Sequence, residues 1–539
     1  MKFLLLDAVY LLLVMGWTVV LPPMGRDYSL FGVPLPDMLL TWWRLPGGES
    51  LPAPVYHVVA LLLLYLCMVL VFFLTRLATR GPWWLGSVAA VVFMAHPVKA
   101  EAALMLSGVT RELLFTAAAL GGLLMHVARP RPLSFLRTAA WDMAAVGLLM
   151  VGAVGGLSIF AFGPGVLLLP FLWDALVVPR SERGGSRLAR PLLVVLLTCS
   201  ACVSLMWAGS YGRIPTPSEV LFFCAHPFAV MGLLLYPLGI LPETRAVVLE
   251  YSEAAAAAFL AAGVIGLWAV HRLTNRTVLL GLLSVGLICL WDGVFYVLFP
   301  ASPFEGFVKG SCPFPFYPVD PVHFANGGRL TLATAFMGIA AAGVFAALLR
   351  HPRWRKPAVA LSTALCVGLM VLHGIVNLQW VSAGQRLREF RRTAEALAAQ
   401  HPGETLVVAP DIGYAGFAPL SYAGSVSENT PFGRALDVRA LAWCDVEYPA
   451  AKVTVTEYSP DGFAFTVTQP YPPDVRTAYA VEAASAPPAP PRVGLFDLRP
   501  RVFYAPKKAH AFSFQPADVP FPAVRIPLPG EAPPEKAAP

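Results

Sequence analysis

The chain has 539 residues, of which 57% are hydrophobic and 13% charged, against about a quarter charged in an ordinary water-soluble domain. Its 51 Pro and 44 Gly are spread among apolar runs, which excludes a collagen-like, coiled-coil, disulfide-scaffold or wholly disordered chain. The formal charge of +7 comes from cations clustered between those runs, so it reports membrane topology and implies no nucleic-acid partner.

A helix that crosses the hydrocarbon needs roughly 20 apolar residues. Such runs predict spans at 3–21, 55–77, 83–95, 113–127, 141–157, 163–178, 192–208, 254–270, 278–299, 330–349 and 358–381, the third of them short. A further apolar stretch, 220–240, is interrupted by His226, Pro227, Pro237 and Gly239 and reads either as a span or as a re-entrant or interfacial element. Lys and Arg gather in short cytoplasmic loops. With the N-terminus inside and 220–240 kept outside, the inner loops hold Arg76, Arg80, Arg129, Arg180, Arg187, Arg272, Arg276, Arg350 and Lys356 among others, and outweigh the outer ones. Counting 220–240 as a full span would turn Arg272 and Arg276 outward. The fold class expected is therefore a polytopic α-helical membrane protein of about 11 transmembrane helices. Its N-terminus is expected in the cytoplasm and its C-terminus outside, in a bacterial inner (plasma) membrane.

The first run follows Lys2 and ends at Leu21, Pro22 and Pro23 without a small-residue cleavage site, so it reads as an uncleaved anchor. Cys67, Cys199, Cys202, Cys289 and Cys366 fall inside spans as small packing residues. Cys312 and Cys444 both face outside, as a disulfide or as two thiols. Beyond the last span, residues 385–400 carry Leu387, Phe390, Ala394 and Leu397 at helical spacing, an amphipathic helix. Residues 405–409 read as a buried strand, and 452–457 with 463–469 as a hairpin about Ser459, Pro460, Asp461 and Gly462. The organisation expected is a membrane domain over 1–381, a small extracytoplasmic α+β domain over 382–517 and a disordered Pro/Ala-rich tail over 518–539.

No Walker loop, dinucleotide fingerprint, HExxH or paired CxxC occurs. What remains is a set of charges near the outer membrane face, where burial is expensive. The carboxylates are Asp27 and Asp37 in the first outer loop, Glu101 after the third span, and Asp292 within the ninth. The cations are Lys99, Arg111, Lys309 and Arg329. Moving a sugar from a lipid phosphate to a hydroxyl uses such a combination: a carboxylate takes the acceptor's proton, and cations or a metal receive the charge on the departing phosphate. The residues alone leave other roles open. Asp27 also fits a solvated loop residue or helix cap, Glu101 a helix-terminal charge, and Asp292 a structural ion pair. Asp7, Asp142, Asp174 and His126 lie near inner ends and are expected to snorkel to the interface without chemistry. Trp42, Trp43, Trp83 and Trp84 read as interfacial anchors, although Trp42 and Trp43 could also line a sugar site.

The segment Ala95, His96, Pro97, Val98, Lys99, Ala100, Glu101, Ala102, followed by Ser107, Gly108, Arg111, Glu112, Leu113 and Leu114, resembles a signature of the GT-C membrane glycosyltransferases. It is most similar to the transmembrane O-mannosyltransferases that also carry tetratricopeptide repeats. More loosely, residues 1 to 380 resemble the protein mannosyltransferase layout of spans. The resemblance implies transfer of a mannose-like sugar from a polyprenyl-phosphate donor to a protein or glycan hydroxyl outside the membrane. It implies that Asp27 is the catalytic base or a ligand of a divalent metal (Mg or Mn), and that Glu101 is the second acid. It implies that Arg329, in the sequence Gly328, Arg329, Leu330, Thr331, Leu332, holds the lipid phosphate with Lys99 and Arg111. Asp37, His96 and Asp292 would line the substrate. Tyr236, Pro237, Leu238 and Gly239 resemble the family's outer P-x-G-L element.

The departures are specific. Ala161, Phe162 and Gly163 stand where relatives carry S-K-E, Asp27 is followed by Tyr28 rather than a second acid, Gly328 replaces the acid before Arg329, and the repeats are absent. These changes leave a catalytically inactive membrane scaffold as the alternative. A transporter is a further one, although internal symmetry is lacking.

Overall fold

The computed structural model describes residues 2–22, 24, 53–97, 100–104, 112–129, 135–154, 163–178, 275–298 and 330–400, scattered positions from 228 to 268, and short segments between 405 and 512. Helix dominates the part before residue 400. Four helical stretches are long and apolar enough to cross a membrane: Lys2–Val20, Ala53–Thr79, Thr331–Leu349 and Pro352–Ala396. Leu5, Leu6, Leu12 and Leu13 on the first, Leu62 on the second and Leu378 on the last are more than 60% exposed. Apolar surface of this extent is a liability in water and is what lipid solvates.

Helix α1 (Lys2–Met15) runs into a 3₁₀ turn, Gly16–Val20, that closes at Leu21. Leu21 is extended (φ −67°, ψ 140°) because Pro22 disfavours the helical region for the residue before it. The Leu21 carbonyl then accepts from His57 Nε2 at 3.2 Å, at the start of α2 (Ala53–Thr79). Tyr65 Oη of α2 donates to the Leu4 carbonyl at 3.2 Å.

A tight turn returns the chain into α3 (Trp84–Ala95). Arg80 there has φ 51° and its N–H donates to the Arg76 carbonyl at 3.0 Å, a left-handed helix cap of the kind glycine normally occupies. Thr79 Oγ1 accepts from the Gly81 N–H at 3.2 Å, and the Arg76 guanidinium lies 4.3 Å from the Trp83 ring centroid. Replacing Arg80 by Gly removes a backbone cost of about 1 kcal/mol, so Arg80→Gly is expected to raise the thermal midpoint of the purified protein. An unchanged or lower midpoint would mean that the Arg80 side chain contributes more than its backbone costs.

Every residue of α3 from Leu85 to Ala95 is buried. With 12 residues it is roughly 18 Å long, too short to match the hydrocarbon, but it meets protein on all sides: α1, α2, α9 (Thr331–Leu349) and α10 (Arg355–Gln400) pack against it. The short third run is thus an enclosed helix rather than a lipid-facing span. Between them in sequence come α4 (Ala100–Leu104), α5 (Leu114–Val127), α6 (Phe135–Val154), α7 (Gly163–Leu176) and α8 (Arg276–Leu298). The pairs α5 with α6, α8 with α9, and α7 with α8 are in extensive contact. Asn275 caps α8, its Oδ1 accepting from the Thr277 N–H at 3.0 Å, while its Nδ2 donates to the Gly343 carbonyl of α9 at 2.9 Å. Thr277 Oγ1 donates to the Ala78 carbonyl of α2 at 3.0 Å.

Helix α10 unites the last apolar run and the amphipathic segment in one helix of 46 residues, roughly 70 Å long, which continues unbroken through positions 381 and 382. Ala383, Leu387, Phe390 and Ala394 are buried at the expected helical spacing. His373 Nε2 lies 2.9 Å from Met15 Sδ, and Asn377 Nδ2 donates to the Val14 carbonyl at 3.1 Å, so polar contacts dock α1 onto α10. Asn377 uses its carboxamide where lipid offers no partner.

After α10 come short strands. β1 (Thr405–Val408) pairs in parallel with β4 (Val438–Ala440) and β10 (Ala509–Phe512). β2 (Asp411–Ala415) lies between β3 (Ala418–Pro419) and β5 (Trp443–Val446), and β3 touches α10. β6 (Lys452–Ser459) and β7 (Gly462–Thr468) form the hairpin expected from the Ser-Pro-Asp-Gly sequence, with Ser459 opposite Gly462. β8 (Arg476–Ala483) and β9 (Arg501–Ala505) complete that sheet. Cys444 lies in β5, whereas Cys312, with which it could form a disulfide, and the tail over 518–539 lie outside the described residues.

Candidate functional site

The described contacts orient the helices relative to one another, and this fixes which chain ends emerge together. Ser87, near the start of α3, donates to Asp7 Oδ2 of α1 at 3.2 Å, and the Leu21 end of α1 meets His57 at the start of α2. The start of α8 binds both Ala78, at the end of α2, and Gly343, late in α9. Midway along, Gly338 of α9 lies directly against Ala89 of α3. Helices α1 and α3 therefore run in the same direction, α9 runs opposite, and Leu21, His57, His96 and Leu330 share one end of the bundle.

That end is where the sequence places its chemistry. His96 closes α3 in an extended conformation (φ −68°, ψ 120°), again as the residue before a proline. It is 4% exposed, and its Nε2 lies 2.9 Å from the Leu234 carbonyl oxygen, 138 residues away. A carbonyl only accepts, so Nε2 carries the proton in this contact. Leu234 is helical and buried, as is Met231. The bond thus joins the HP-x-x-x-E segment to the stretch that ends in Tyr236, Pro237, Leu238 and Gly239.

Glu101 lies on α4, whose Ala100, Ala102, Ala103 and Leu104 are buried and which packs on α2. Asp292 lies in α8, 16 residues beyond Arg276 and so roughly 24 Å from the Ala78 end. Arg329 itself, with Asp27, Asp37, Lys99 and Arg111, lies outside the described residues. Its neighbour Leu330 is 5% exposed and leads into α9.

His57 is a residue that the sequence reading passed over. It is 1% exposed, at the same end, and its Nδ1 has no partner among the described residues. A lone imidazole in an otherwise apolar span was the available signal.

The charges near the other end of the chain's early helices are paired rather than snorkelling. Asp7 is 2% exposed and held by Ser87, His126 Nε2 lies 3.0 Å from Asp174 Oδ1, and Arg129 is 3.4 Å from Asp142. In a medium without water, pairing across helices relieves the cost of these groups better than reaching for a distant interface. Among the described residues no three His, Cys, Asp or Glu side chains gather as a metal-binding group.

No protein-family model, no curated protein and no solved structure matches this chain.

Proposed function

We propose that this chain is an inverting GT-C type membrane glycosyltransferase that moves a mannose-like sugar from a polyprenyl-phosphate donor to a protein or glycan hydroxyl. The observation that carries the reading is the His96–Leu234 bond. It ties the HP-x-x-x-E segment to Leu234, two residues before the Tyr236, Pro237, Leu238, Gly239 sequence that resembles a family motif, at the end of the bundle where Leu330 lies. In this reading the acceptor hydroxyl oxygen attacks the anomeric carbon and the bond from that carbon to the phosphate oxygen breaks. Asp27 takes the hydroxyl proton, Glu101 assists it, and Arg329 with Lys99 and Arg111 neutralises the departing polyprenyl phosphate. His96, Asp37 and Asp292 would shape the sugar site. The reaction would take place on the extracytoplasmic side of a bacterial inner membrane, with the N-terminus in the cytoplasm. The strands after α10 would form a small α+β domain on the outer side.

Asp27→Asn is expected to lower sugar transfer from a polyprenyl-phosphate mannose by about 10²–10⁴-fold, the range for a lost general base. Unchanged transfer by the variant removes Asp27 from the site. The second reading, an inactive scaffold, is favoured by one observation: the sequence Ala161, Phe162, Gly163 lacks the charges of the S-K-E motif in the family that the chain resembles. Reconstituted wild-type protein that transfers no sugar from any lipid-linked donor would support it. Substrate counterflow in liposomes would instead indicate a transporter.

A further inference from the structure

We infer that the turn between α9 and α10 holds an anionic phospholipid, with its headgroup on the arginine cluster and an acyl chain in the adjoining apolar depression. The turn and the first residues of α10 contain Arg350, Arg353, Arg355 and Lys356 without a single Asp or Glu between residues 350 and 356. All four are exposed, and among the described residues none of them is ion-paired. The cluster is locally ordered: the Arg350 and His351 N–H groups donate to the Ala347 and Leu348 carbonyls at 3.2 and 3.1 Å, and the Trp354 N–H to the His351 carbonyl at 2.9 Å. Arg355 Nε reaches the Leu349 carbonyl at 3.4 Å, which keeps its guanidinium over the end of α9.

Beside these cations lies an open depression of about 450 Å³ lined by Leu348, Trp354, Pro357, Ala358, Leu361 and Ala364. Small residues on α10 create the hollow, and the indole of Trp354, 54% exposed, forms its rim, the position aromatic side chains favour at a membrane interface. Positive charge alone would attract any phosphate. An apolar slot opening beside it adds a place for hydrocarbon, which only a lipid supplies, and basic pockets between membrane helices are suited to anionic headgroups. This site is separate from the proposed donor site. Arg329 precedes the opposite end of α9, whose 19 residues separate the two ends by roughly 28 Å.

The test uses the full-length protein in neutral detergent, titrated with phosphatidylglycerol or phosphatidylcholine, with retained lipid counted by native mass spectrometry. The wild-type protein is expected to retain phosphatidylglycerol in preference. Each cation changed to Gln weakens that retention about fivefold, so R350Q/R353Q/R355Q/K356Q loses the preferentially held molecule. Ala360→Trp, at an exposed position lining the same depression, keeps every cation but fills the slot, and weakens retention several-fold through lost contact. Equal retention of the two lipids by wild-type protein overturns the inference. So does unaltered retention by a monodisperse quadruple variant. Displacement of the lipid by an equal concentration of glycerol phosphate overturns it as well, since the acyl chain would then contribute nothing.

Discussion

Gly338→Leu is expected to lower the thermal midpoint of the detergent-purified protein by about 3 °C. The reason lies in the approach of α9 to α3. A Cβ at Gly338 would collide with the Ala89 carbonyl oxygen and come within 3.2 Å of the Ala89 carbonyl carbon. These are backbone atoms of a helix buried along its whole length, so no side chain can swing aside to make room. Helices in a membrane gain little from the hydrophobic effect and depend on close van der Waals fit. Separating α9 from α3 therefore costs about 3 kcal/mol, which for a chain of 539 residues corresponds to a drop of about 3 °C in midpoint. Helix propensity works in the opposite direction, favouring Leu over Gly by up to about 1 kcal/mol, and is too small to offset the clash. Gly368 provides the contrast: nothing lies within 4 Å of a Cβ there, so Gly368→Ala is expected to raise the midpoint slightly. The measurement is the temperature at which half of each variant remains monodisperse on size-exclusion chromatography. Equal midpoints for Gly338→Leu and the wild type would show that α3 and α9 do not pack as described.

Several apolar helices among the described residues were legible because their signal is compositional and local. Runs at 55–77, 278–299 and 330–349 became α2, α8 and α9 with ends displaced by only a few residues, since a charged or proline-bearing boundary stops each one. The hairpin was equally local, because Ser-Pro-Asp-Gly between two β-rich runs dictates its turn. The continuity of α10 was not legible. Its outward face changes from lipid-facing Leu and Val to Arg and Glu, and that change of surroundings reads in sequence as a boundary although no residue breaks the helix. The enclosure of α3 was hidden for a related reason: composition gives the apolarity of a helix but not whether lipid or protein surrounds it.

The polar residues divide along the same line. Asp7 and Asp174 looked like charges free to reach an interface, yet each has a partner on another helix, Ser87 and His126. Nothing in a single sequence pairs residues that far apart. The HP-x-x-x-E segment could be found from its own pattern, whereas its bond to Leu234 could not. Sequence pattern therefore marks candidate groups for chemistry, whereas contacts between distant segments, such as His96 with Leu234, become visible only in the fold.

If the chain is the glycosyltransferase proposed, His96→Leu is expected to reduce sugar transfer about 10²-fold, with a smaller loss of stability. His96 is nearly enclosed and places its Nε2 against the Leu234 carbonyl. Leucine keeps the apolar bulk but removes the donor, leaving a carbonyl beside a buried side chain without it at a cost of about 1–3 kcal/mol. The helical residue Leu234 then loses its tie to the end of α3, and in the proposed enzyme a displacement near 1 Å at the reacting centre is enough for a loss of about 10²-fold. His96→Gln separates positioning from chemistry, since a carboxamide retains an N–H donor and has no basic nitrogen near neutral pH. If His96 serves to position the segment, His96→Gln recovers part of the transfer lost in His96→Leu and leaves the pH profile of the remaining activity where the wild type has it. Loss of equal size in both variants, with an altered pH profile, would assign His96 a proton-transfer role instead. Full transfer by His96→Leu would show that the two segments need not be held together.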